Sequence, residues 1–116
     1  DVEFISLDAI KEPIPECDVL LVREVFQHLK NEEIQSLINN IESRCKWLVI
    51  TEAMPDTLNN FIHNIDRGVG PNTRFNVQSG VVLTSKPFNL NPIKSLCLDF
   101  SSSEEGYLRT DAYKIN

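Results

Sequence analysis

The run Asp18-Val-Leu-Leu-Val-Arg-Glu-Val-Phe-Gln-His-Leu29 opens on an acid, continues through four apolar residues and then turns polar. A strand apolar at every position is one buried on both faces of a sheet. Residues 19–22 are therefore predicted to form a strand, with a turn or short helix over 23–30. Upstream, Val2-Glu-Phe-Ile-Ser-Leu7 alternates in part and predicts another strand, ending at Asp8-Ala9, before Pro13 and Pro15 mark a loop. Downstream, Ile34, Leu37, Ile38 and Ile41 recur at i, i+3, i+4 and i+7, the single stripe of a surface helix. Asn31 suits its N-cap, Glu32 and Glu33 its positive end, and Arg44 and Lys46 its C-terminal end. Trp47-Leu-Val-Ile-Thr51 is the next, almost wholly apolar strand.

Strand, helix, strand at this spacing predicts a βαβ unit with parallel strands and a right-handed crossover. Over 53–92 the periodicity fades and Asn, Pro, Gly and Asp become frequent, as in a lid or binding segment. Segments 79–84 and 95–100 read as short strands, Glu104-Glu-Gly106 as a turn, and 107–115 as a final strand. The 95–100/107–115 hairpin must be antiparallel, because its loop is too short for a crossover. The expectation is one α/β domain over 1–116: a Rossmann-like sheet built on a parallel βαβ unit, with a C-terminal antiparallel hairpin and an irregular, lid-like insertion.

Composition narrows the function. Eleven basic and seventeen acidic residues give a net charge of −6. A surface of that sign argues against binding a nucleic-acid backbone. No segment is apolar for long enough to span a membrane as a helix, and no signal peptide is visible. Cys17, Cys45 and Cys97 are isolated, with no C-x-x-C pair, so zinc and thioredoxin readings are weak. An odd cysteine count fits a reducing, cytoplasmic setting, with the cysteines acting as small apolar residues.

The chemistry-bearing residues collect where strands end. Asp8 follows the first predicted strand, Arg23 and Glu24 the second, and Thr51 and Glu52 the third. In a parallel sheet these ends line the edge where open α/β folds bind ligands. A carboxylate there accepts hydrogen bonds from a ribose or an adenine amino group, and an arginine pairs with a carboxylate. The bland reading is that polar residues mark where strands meet solvent. His28 is a candidate general base; the bland reading, a helix-start histidine bonded to backbone, is the favoured one. His63 lies in the irregular region with no visible partner, and the two histidines lack metal-site spacing. Arg74 is either an anion-holding lid residue or part of a surface salt bridge. Gly68-Val-Gly70 follows no strand and lacks the third glycine of a phosphate loop.

Taken in order, Asp18–Leu29, Leu37-Ile-Asn-Asn-Ile41 and Trp47-Leu-Val-Ile-Thr-Glu52 resemble the later half of a class I S-adenosylmethionine-dependent methyltransferase. Asn64-Ile-Asp-Arg-Gly68, Arg74 and Pro87-Phe-Asn-Leu90 are similar to ordered elements of one subgroup of that superfamily. The resemblance implies S-adenosylmethionine as cofactor, with Asp8 and Ala9 against its adenine and Arg23 beside its methionine end. It implies Thr51 and Glu52 at the substrate pocket, Arg74 in a cap over it, and His28 and Glu52 as candidate catalytic groups. The methyl acceptor is expected to be a small molecule or a protein side chain. The glycine-rich turn and the ribose-binding acid of the family are absent from these 116 residues. The resemblance thus implies the C-terminal part of such a domain, its second wall supplied by a longer chain, a partner or a dimer completing the sheet. The competing reading is a non-catalytic methyltransferase-like interaction module; a nicotinamide enzyme is disfavoured by the missing nucleotide fingerprint.

Overall fold

The computed structural model describes residues 1–55, 61–66, 74–102 and 106–116. Strand β1 (Cys17–Arg23) leads through a 3₁₀ turn (Phe26–His28) into helix α1 (Asn31–Glu42) and strand β2 (Cys45–Pro55). Two short strands follow, β3 (Ile62–His63) and β4 (Ser79–Gly80), with a second 3₁₀ turn (Phe75–Val77) between them. The chain ends in β5 (Lys94–Ser102) and β6 (Gly106–Lys114). The main sheet has the order β1-β2-β6-β5; β3 and β4 form a separate parallel pair.

The expected Rossmann-like α/β sheet is not what forms. Strand accounts for 40% of the described residues and helix for 18%, with one α-helix and a mixed four-stranded sheet. Only β1 and β2 are parallel in that sheet, and α1 provides their crossover; β2–β6 and β5–β6 are antiparallel. The physical reason lies in the connections. A parallel pair needs a crossover of a dozen or more residues, usually a helix. Among the described residues there is one such amphipathic helix between strands of the sheet, and the β5–β6 hairpin can only run antiparallel.

The strand expected over 2–7 is likewise absent. Val2 and Phe4 are 80% and 92% exposed, and no neighbouring strand offers them a ladder. Of the run expected at 79–84, only Ser79–Gly80 is strand.

Helix α1 lays Ile34, Leu37, Ile38 and Ile41 on the sheet, all buried. They share one core with Phe26, Leu48, Ile50, Leu83, Phe88 and Tyr113. Register assigns the faces. Leu20 and Val22 pair with Leu48 and Ile50, which pair in turn with Tyr113 and Asp111 on the helix side. Val19 and Leu21 pair with Trp47 and Val49 on the other side. That second face carries no helix among the described residues, so Val19 and Leu21 are 50% and 74% exposed although the run they belong to reads as doubly buried.

Lys30, not Asn31, is the N-cap of α1; its backbone N–H donates to the Glu33 carboxylate. The Asn31 side chain instead bridges to the 64–74 region, as shown below.

Candidate functional site at the carboxyl ends of the parallel strands

Past the end of β1, Glu24 takes a left-handed backbone conformation with φ 52°, and its N–H donates to the Thr51 carbonyl at 2.7 Å. This turns the chain across the end of β2. The turn is then held from beneath by one side chain. Glu52, 1% exposed, accepts N–H bonds from Val25, Phe26 and Gln27 at 3.3, 2.9 and 3.2 Å. Gln27 returns the contact by accepting the Ala53 N–H at 2.8 Å. Among the described residues no cation lies within ion-pair distance of Glu52, although Arg109 stands opposite it in register. Burial therefore outweighs the three N–H donors and pushes the Glu52 carboxyl up to about 7.

Arg109 bonds Asp111 instead, with Nε to Oδ2 at 2.9 Å. Asp111 lies on the helix-side face beside Ile50, and burial raises its pKa against the pull of Arg109. Tyr113, next but one along β6, is pushed up to about 12, chiefly by burial. Sequence reading passed over Gln27, Arg109, Asp111 and Tyr113. The signal for the last three was their i, i+2, i+4 spacing, which places them on one face of a strand.

The sequence-predicted residues divide into groups. Arg23 is exposed at the end of β1, with its guanidinium 3.8 Å from Glu24. Thr51 donates to, or accepts from, the Thr110 hydroxyl at 2.8 Å on the opposite face of the sheet from Glu52. His28 closes the 3₁₀ turn, half-buried; its Nε2 lies 3.4 Å from Gln27 Nε2, and its Nδ1 is buried with no hydrogen-bond partner in the protein. Arg23, His28 and Glu52 thus border one turn, with Arg23, by its register with Thr51, on the sheet face opposite Glu52.

Arg74 is 1% exposed and donates to the Leu29 and Ile65 carbonyls and to Asn31 Oδ1, at 2.8, 2.6 and 2.8 Å. Asn31 also donates to the Asn64 carbonyl, and its N–H to Asp66. Asn64, with φ 58°, uses its side chain to bond Val82 and the Lys86 carbonyl. The Asn-Ile-Asp and Arg74 elements therefore tie residues 61–66 and 74–90 to the start of α1. Gly68-Val-Gly70 lies outside the described residues.

Asp8 and Ala9 stand apart. Asp8 Oδ1 accepts its own turn's Ile10 N–H, and the Ala9 carbonyl accepts from Asn40 near the end of α1. Asn40 lies nine residues along the helix from Asn31, roughly 13 Å at the usual rise. A cavity of about 430 Å³, widely open to solvent, also lies away from the turn, at the amino ends of β1 and β2.

No family model, curated protein or solved structure matches the chain.

Proposed function

We propose that this chain forms the acceptor-side wall of a site for methyl transfer from S-adenosylmethionine. The observation that carries the reading is the 24–28 turn. It follows Arg23 and carries His28 at the carboxyl ends of the parallel pair, on a backbone fixed by Glu52; in open α/β sheets that edge is the one that binds ligands. The order of the Asp18–Leu29 and Trp47–Glu52 motifs supports it.

The residues at this edge fit the amino-acid end of such a cofactor, whose carboxylate suits the exposed Arg23 guanidinium. Asp8 and Ala9 do not join them, so this chain's own residues do not form a complete adenine pocket. The bound cofactor supplies an electrophilic methyl group. His28, half-buried at the end of the turn, takes the acceptor's proton, through Nε2 because its Nδ1 is buried. Glu52 acts through the turn: its oxygens are committed to backbone N–H groups, so it positions rather than reacts. Exclusion of water and alignment of the acceptor are the remaining contributions. The net charge of −6 favours a small molecule or a protein side chain over a polyanion as acceptor.

The exposed apolar face around Val19 and Leu21 favours a second reading, a non-catalytic interaction module. Titration calorimetry with S-adenosylhomocysteine, on the protein at its full natural length, separates the two. Binding that weakens at least tenfold in Arg23→Ala supports the methyl-transfer site; absence of binding leaves the interaction module.

A further inference from the structure

The amino ends of β1 and β2 hold a pair of thiols that the methyl-transfer reading does not use. Cys17 and Cys45 are direct register partners in the parallel pair, and their sulfurs lie 2.9 Å apart. Adjacent strands run about 4.8 Å apart, within the Cα separation that a disulfide spans. The backbone holds this arrangement on both sides. The Cys17 N–H donates to the Arg44 carbonyl at 3.0 Å, and Asn116 Nδ2 donates to the Cys45 carbonyl at 2.8 Å. Cys45 is buried, whereas Cys17 is half-exposed and lines the open cavity together with Cys45, Arg44 and Lys46. The third cysteine, Cys97, sits exposed on β5 and is not a register partner of either.

We propose that Cys17 and Cys45 are a reversible redox staple, closed by a hydroperoxide that enters through this cavity. Cys17, the accessible thiol, attacks the peroxide oxygen as its thiolate, giving a sulfenic acid and releasing an alcohol, or water from hydrogen peroxide. The Cys45 sulfur then displaces the sulfenic oxygen as water. Two thiols and one hydroperoxide become one disulfide, one alcohol and one water; the peroxide is reduced and the two sulfurs are oxidised. Burial holds the Cys45 thiol up to about 12, which sets it as the resolving partner and not the first attacker. The closed bond joins the amino ends of β1 and β2, so it removes unfolded-state freedom from the enclosed segment that carries α1 and the 24–28 turn.

The test treats the reduced chain with a few equivalents of hydrogen peroxide, counts free thiols and maps tryptic peptides. The expected result is a fall from three thiols to one, with peptide 12–23 joined to the dipeptide Cys45-Lys46. Melting should rise by roughly 10 °C and return on adding a dithiol. Cys97→Ser should fall from two thiols to none, while Cys17→Ser forms no intramolecular bond. Oxidation of Cys17 to the sulfinic acid without a cross-link overturns the proposal, as does a disulfide confined to Cys97-linked dimers. A 17–45 bond that leaves the melting temperature unchanged overturns the staple. The wild-type peptide map decides the chemistry even if a variant at buried Cys45 does not fold.

Discussion

Glu52 makes the stability of this protein fall, not rise, as pH increases through the weakly acidic range. Its carboxyl is held at about 7 in the folded chain against an ordinary value of 4.5, because burial disfavours the anion more than the three backbone donors favour it. The folded state therefore binds the proton more tightly than the unfolded state. The stabilising contribution is fully present below about pH 4.5 and is lost as pH rises through about 7. The shift is about 2.5 units, and at 1.36 kcal/mol per unit it amounts to about 3 kcal/mol across the window. The assay is urea unfolding, followed by the fluorescence of Trp47, for the wild type and Glu52→Gln over that pH range. Asp111 adds a slope of the same sign, since burial raises it too, but it is common to both proteins and cancels in the difference. The wild type should lose about 3 kcal/mol relative to Glu52→Gln between the two ends of the window. Parallel pH profiles for the two proteins would refute the balance of forces assigned to this carboxylate. Glu24→Gln should reduce the effect, because the Glu24 charge is one of the causes that raise Glu52.

Other outcomes follow from the packing. Leu48→Ala, at a position 1% exposed in the core, should cost about 2–5 kcal/mol in urea unfolding, whereas Leu21→Ser, 74% exposed on the bare face, should stay within about 0.5 kcal/mol. Equal effects would mean that the two faces of β1 and β2 are wrongly assigned. Asn64→Ala removes bonds to Val82 and Lys86 and sets alanine at φ 58°; a loss of roughly 2–4 kcal/mol is expected, and Asn64→Gly, which tolerates the backbone, should cost less. Gly80→Ala brings a Cβ to 2.8 Å from Met54 Sδ, so a destabilisation of about 1 kcal/mol is expected, relieved when Met54 is also shortened to Ala.

Several features were legible because they depend on near neighbours in the chain. The 3.6-residue stripe from Ile34 to Ile41 specified α1 and its buried face, and the apolar runs specified the cores of β1 and β2. The spacing between those runs specified a parallel pair, and the short 101–106 connection an antiparallel hairpin. Glu52 was also legible as the carboxylate of interest, from its place just past an apolar strand. What Glu52 does was not, because three N–H donors about 26 residues away are a property of the folded arrangement. The same holds for Arg74, which composition leaves as either a lid or a surface charge. Only the bonds from Arg74 to Leu29, Asn31 and Ile65 turn it into a buried clamp.

The sequence by itself determined the local elements and the parallel crossover, since periodicity and chain length act through covalently close residues. Only the tertiary structure decided that the sheet is mixed and strand-rich, that residues 2–7 find no strand partner among the described residues, and that Asp8 and Ala9 lie apart from Arg23, His28 and Glu52. Apolar alternation states that a face can be buried, but burial needs a second surface. Val19 and Leu21 carry the pattern of a doubly covered strand, yet the described residues cover one side of it.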